Sequence, residues 1–211
     1  MRISQLTLAL LLTTTFFACN STDDNPTLPQ PLTATTVKDL AADPPTSVDP
    51  QTGQAIGSTN KFTLFSFREN KQVPNTDSAT NKWDIGFRGT TVIVNGGPIR
   101  SGQGGAYLHT GTFEELTTIP TSATFAQDQS PTQLAITTGS GKGWYNYNQT
   151  TNVVSPIPGK VLVVRTGEGR YAKMEVLSYY LNAPATPDPT SKQRYYTFRY
   201  VYQPDGSQKL N

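Results

Sequence analysis

Apolar residues along this chain fall in short runs, alternating or unbroken, and Gly, Pro, Asn and Thr separate the runs. No helical spacing persists over ten residues, and no segment repeats at a fixed interval. Residues 61–68 (KFTLFSFR) are β-branched and aromatic. Residues 82–88 (KWDIGFR) alternate, which predicts Trp83, Ile85 and Phe87 on one face with Asp84 and Arg88 on the other. Residues 90–94 form a second β-rich run, closed by the turn residues Asn95-Gly96-Gly97-Pro98, and a Gly-rich segment, 101–105, leads into a run at 106–109. Residues 112–116 predict one helical turn with Thr112 and Glu115 as a capping box. Residues 132–138 and 144–148 read as further short strands.

The last third carries the strongest pattern. Residues 160–165 (KVLVVR) are almost wholly apolar, and 167–170 (GEGR) mark a turn. Residues 171–180 form the return strand, 182–190 hold three prolines and read as a loop, and 193–203 form a long aromatic strand. Together these predict a three-stranded antiparallel meander. Its final strand carries Tyr196, Phe198, Tyr200 and Tyr202 on one core-facing side. The predicted class is all-β: a single antiparallel domain over residues 34–211 with hairpins and a C-terminal meander.

The N-terminus breaks this pattern. Arg2 precedes an apolar stretch at 6–17 that is shorter than the roughly 20 residues a bilayer-spanning helix needs, so it reads as an export signal. Cys19 follows it directly, after Phe16-Phe17-Ala18, in the manner of a bacterial lipobox, where a small residue precedes a Cys that is cleaved and lipidated. An ordinary signal with a stray Cys is the alternative. Residues 1–18 are thus assigned as signal peptide and 19–33, with Pro26, Pro29 and Pro31, as a lipidated tether. The acidic Asn20-Ser21-Thr22-Asp23-Asp24 resembles the short signal that sends some lipoproteins to the cell surface.

Composition narrows the chemistry. The 211 residues are 35% hydrophobic and 15% charged, with a net charge of +2, which argues against a nucleic-acid partner. One Cys and one His exclude a structural zinc site, and no Gly-x-Ser-x-Gly elbow or acid–base constellation appears, so no enzyme is expected. Residues 140–143 (SGKG) lack the spacing of a phosphate loop. Asp43 and Asp49 bracket a Pro-rich loop but lack EF-hand spacing, and a solvated turn is the better reading than a calcium site.

Several segments in order resemble the HmuY-like lipoproteins: 62–67, Lys82-Trp83-Asp84-Ile85, 101–106, Thr117-Thr118-Ile119-Pro120, Gly143-Trp144, 161–165 with Gly167, Ala172-Lys173, and Thr197-Phe198-Arg199-Tyr200. The resemblance covers about residues 34–205. It implies an all-β surface lipoprotein of the outer membrane that binds haem and passes it to an outer-membrane receptor. In the best-known haem-binding members two histidines hold the iron. One position corresponds to Gln149 here. The other lies in a hairpin this chain shortens between Asp128 and Gly139, where no His stands. The bis-histidine site is therefore not carried over, although other members lack these histidines too and some use methionine.

Haem iron accepts His, Met, Tyr or Cys ligands. The candidates left for haem or a similar flat hydrophobic ligand are Tyr145 and Tyr147, for which a cross-strand aromatic pair is the better reading, Gln149 at the end of their strand, His109, and Met174, for which core packing is the better reading. Two functions follow: a surface haem-binding lipoprotein anchored through Cys19, or a structural or protein-interaction lipoprotein of the same fold that has lost the haem site.

Overall fold

The computed structural model describes residues 31–49, 51 and 55–211. The predicted signal segment, Cys19 and the tether before residue 31 lie outside the described residues. The chain from Pro31 to Asn211 forms one compact unit. Its strands are β1 (Thr35–Ala41), β2 (Ser47–Val48), β3 (Ala55–Ile56), β4 (Thr63–Ser66), β5 (Lys71–Val73), β6 (Ile85–Arg88), β7 (Thr91–Val94), β8 (Gly105–Thr110), β9 (Tyr145–Asn148), β10 (Val153–Pro156), β11 (Lys160–Arg165), β12 (Tyr171–Tyr180) and β13 (Gln193–Gln203). Among the described residues a 3₁₀ turn, Asn75–Asp77, interrupts them. The all-β expectation holds.

A five-stranded antiparallel sheet runs β1-β13-β12-β11-β8, and a four-stranded one runs β5-β4-β6-β7. The predicted meander is β11-β12-β13, extended by β1 at one side and β8 at the other. A bulge between Val37 and Leu40 breaks the β1–β13 register. It turns Asp39 to φ +54°, and the Thr197 hydroxyl accepts the N–H this frees.

The two sheets bury their inner faces against each other. Phe65, Ile85, Phe87, Val92 and Val94 meet Leu162, Met174, Val176, Phe198 and Tyr200 in one core. Aromatic rings bridge it, with Phe65 and Phe198 edge to face at 5.4 Å and Phe87 against Tyr196 at 4.7 Å. The predicted stripe of the last strand supplies this face.

The unbroken apolar run of β11 has a direct cause: both faces of the strand are covered. Leu162 and Val164 point into the core, while Val161 and Val163 pack outward under Phe113, Leu116, Ile119 and Leu210. The 112–116 segment is a turn rather than a helix. The capping box forms all the same: Thr112 Oγ1 accepts the Glu115 N–H at 3.2 Å, and Thr112 N–H donates to Glu115 Oε2 at 3.3 Å. Lys173 reaches out from β12, buried, and donates to the carbonyls of Phe113 and Leu116. Its ammonium takes acceptors that a continuing helix would bond itself, and burial holds its pKa below the ordinary lysine range.

Two further expectations fail. Asp84 does not face solvent; it is 4% exposed, and Trp83 packs on the outer side of the four-stranded sheet with Leu64 and Ile93 rather than with Ile85 and Phe87. Regular strand geometry starts only at Ile85, so alternation read back to residue 82 puts both side chains on the wrong side. Residues 132–138 make no strand either. Asp128, fully buried, accepts N–H bonds from Ala135 and Val94 and pairs with Arg100 at 3.3 Å, so a side chain organises this loop in place of a ladder.

Candidate functional site

One recess among the described residues is a cleft of about 920 Å³, within the range of small-molecule sites. One wall comes from the β9–β10 hairpin. Asn148 Oδ1 accepts the N–H groups of Thr150 and Thr151 and so closes the turn, and Asn152 sits at φ +52°. Tyr147 lies across the hairpin and donates its hydroxyl to Asn152 Oδ1 at 2.7 Å. It is 40% exposed and lines the cleft.

The hairpin docks on β12 through the Val154 N–H, which donates to the Tyr180 hydroxyl at 2.8 Å. Tyr180 forms the floor, and burial pushes its phenol above the ordinary range. Tyr195 of β13 and the loop at 188–193 form the far side, and Pro44 and Pro45 the rim. Asp188 Oδ1 accepts bonds from the backbone and hydroxyls of Thr190 and Ser191, which fixes that loop. The cleft thus offers three tyrosine rings and three prolines (Pro44, Pro45 and Pro189) beside polar groups of both charges: Lys192, Asp49 and Asp188, with Asn152, Gln193 and hydroxyls of the 46–47 and 190–191 segments. The ring and proline faces suit a flat molecule, and the polar groups suit one with a polar edge. The oxygens able to reach a metal in it include the phenols; among the described residues no group of three His, Cys, Asp or Glu could hold one.

The residues singled out in the sequence do not converge. Tyr147 lines the cleft, and Gln149 is exposed in the turn beside it. Tyr145 shares the strand but is buried, within 3.3 Å of Thr90 Oγ1. Met174 is fully buried in the core opposite Leu162, as core packing predicts. His109 stands on β8 opposite Val161 and does not line the cleft. Asp43 is no solvated turn residue: it is 7% exposed. Burial pushes its carboxyl up, but bonds from Thr59 and Asn60 and the charge of Arg194 more than reverse this and hold it below the usual range.

Tyr180 and Tyr195 escaped the sequence reading. Alternation through β13 puts Tyr195 on the face opposite Tyr196, and that was the available signal. Nothing local marks Tyr180, because the hairpin that docks on it is distant in the chain.

The segments behind the family resemblance meet elsewhere. Asp84 accepts the Phe67 N–H at 2.8 Å and the Gly167 N–H at 3.1 Å. Asn95 donates to the carbonyls of Thr80 and Trp83 and accepts the Gly102 N–H. Gly104 N–H donates to the Asn95 carbonyl at 2.7 Å, an approach so close that a Cβ on Gly96 would overlap the Gly104 backbone. The Trp-Asp pair, the Gly-rich turn and the Val-Arg-x-Gly turn therefore form one structural knot.

Two of the solved structures that share the fold are similar over most of their length. One is a candidate HmuY-like heme-binding protein from Bacteroides vulgatus, 18% identical, with a TM-score of 0.50 over 80% of this chain and 91% of that one. The other is a candidate lipoprotein from Bacteroides fragilis, 16% identical, with a TM-score of 0.50 over 81% and 91%. No curated protein matches the chain. The family model described as HmuY protein matches residues 58–200, a span that takes in the knot, both large sheets apart from β1 and the last three residues of β13, and the β9–β10 hairpin, and on that match the chain belongs to the HmuY family.

Proposed function

We propose that this protein is an exported lipoprotein, anchored to the outer membrane through Cys19 and displayed at the cell surface, which binds haem or a similar flat hydrophobic ligand for transfer to a receptor. The observation that carries the ligand class is the cleft, with Tyr147, Tyr180 and Tyr195 around a volume of about 920 Å³. Planar aromatic and proline surfaces suit a porphyrin face, and Lys192 supplies a cation for a carboxylate edge. Tyr147 is the iron-ligand candidate with the best access, and Gln149 neighbours it. Family membership and the HmuY-like relative described as heme-binding support the same reading.

Titrating the full chain with hemin tests it. A saturable shift of the Soret band is expected, and Tyr147→Ala and Tyr195→Ala should each weaken binding about tenfold, the loss of one good stacking contact. On cells, Cys19→Ser should abolish retention of hemin at the surface. The second reading, an interaction lipoprotein without haem, is favoured by one observation: the lone His109 lies on β8, away from the cleft. An unshifted Soret band decides for that reading.

A further inference from the structure

A second recess, about 560 Å³, is lined by Asp43, Ser58, Asn60, Arg88, Gly89, Thr90, Thr91 and Arg194. Its backbone is unusual. Asp43, Asn60, Gly89 and Arg194 all stand in the left-handed region, at φ +57°, +58°, +54° and +67°. Three of the four carry a Cβ, and strain of this kind gathers where a fold holds groups in place for binding.

Those groups are two guanidiniums. Arg88 donates through Nη1 to the Asn60 carbonyl at 3.1 Å and lies over the Phe62 ring at 4.4 Å. Arg194 donates through Nη1 to the Asp43 carbonyl at 3.0 Å and bonds the Tyr179 hydroxyl. Each is pinned by a neutral acceptor, and neither forms an ion pair with a carboxylate among the described residues. The Asp43 carboxylate is turned to the 59–60 backbone and the Thr59 hydroxyl. It offsets one positive charge and leaves the recess cationic. Arg88, held by one N–H, keeps the rest of its planar fork for an anion, and Arg194 keeps the N–H groups not given to Asp43 and Tyr179.

We propose that the Arg88–Arg194 recess binds a phosphate-type oxyanion. Two forks together with the hydroxyls of Ser58 and Thr91 offer more donors than the two oxygens of a carboxylate accept, and a tetrahedral anion uses more of them. This site is separate from the tyrosine cleft, and a hemin result of either sign leaves it standing.

The test is an NMR titration of the full chain with inorganic phosphate at low ionic strength, alongside acetate and chloride. Saturable shifts are expected at the Arg88 and Arg194 Nε–H groups and at the Trp144 indole, whose N–H donates to the Thr90 carbonyl. The Trp83 indole, bonded to the Ser78 carbonyl, should stay still. Phosphate should bind more tightly than acetate, and Arg88→Gln should weaken it about tenfold, as expected on losing a charge-assisted bond. Arg88→Lys, which keeps the charge and loses the fork, should also weaken it. A linear response equal to that of chloride, a midpoint unchanged in both variants, or tighter binding of acetate overturns the proposal.

Discussion

Asp84 lies 4% exposed and receives two backbone N–H groups, one from the end of β4 and one from the β11–β12 turn. Burial is the largest influence on it and raises its pKa to about 6, against the lowering by those two bonds. A carboxyl whose folded pKa is raised stabilises most below its unfolded pKa, near 3.8, and that contribution is lost as pH climbs through 6. The full difference is worth about 3 kcal/mol. Asp84→Asn, which imitates the protonated carboxyl, should therefore flatten the part of the urea-midpoint profile that declines from pH 4 to 6.5. If wild type and Asp84→Asn keep parallel profiles, the carboxyl does not titrate in this window. Asp84→Ala orphans two buried N–H groups and should cost about 2–5 kcal/mol at pH 7. None of this shows in the residue alone: in the sequence Asp84 is the polar member of an alternating run, and only the fold brings Phe67 and Gly167 to it.

The outer face of β11 makes the same point for an element. Its strand character is plain in KVLVVR, because β-branched residues on both faces require cover on both faces. The cover was not legible. Phe113 and Leu116 sit in a segment whose capping box suggests a helical turn, Ile119 follows it, and their real partners, Val161, Val163 and Leu210, are remote in sequence. The capping box is exposed and local, whereas the apolar contact is buried and long-range, so the two should differ in energy. Leu116→Ala should cost about 2–5 kcal/mol by urea denaturation, and Thr112→Ala about 1 kcal/mol. Equal losses would mean that the turn, rather than its burial against β11, is what holds the segment. The false strand at 132–138 fails for a related reason. Its β-branched Thr and Ile residues fit a strand, but the buried carboxylate of Asp128 takes the Ala135 N–H that a ladder would use.

Across the whole molecule, the features that identify the fold and those that suit a ligand fall on different residues. The knot uses 80–84, 95–104 and 167, while the cleft uses 44–49, 147–152, 180 and 188–195, and no residue belongs to both. This explains why the family was legible in the sequence and the site was not. Turn glycines and a buried Trp-Asp pair leave a local signature, because close backbone approach tolerates few residue types. A cleft wall built from tyrosines on three separated segments leaves none. The same separation predicts a double dissociation, since substitutions without shared partners act nearly independently. Tyr195→Ala, at a half-buried cleft position, should weaken hemin binding about tenfold while moving the thermal midpoint by only a few degrees. Asp84→Asn should change the pH dependence of that midpoint and leave hemin affinity at 25 °C and pH 7 within about twofold of wild type. Parallel titrations and thermal melts of the two variants measure both. Loss of hemin affinity in Asp84→Asn with the fold intact would tie ligand binding to the knot, and the tyrosine cleft would then no longer be the ligand site.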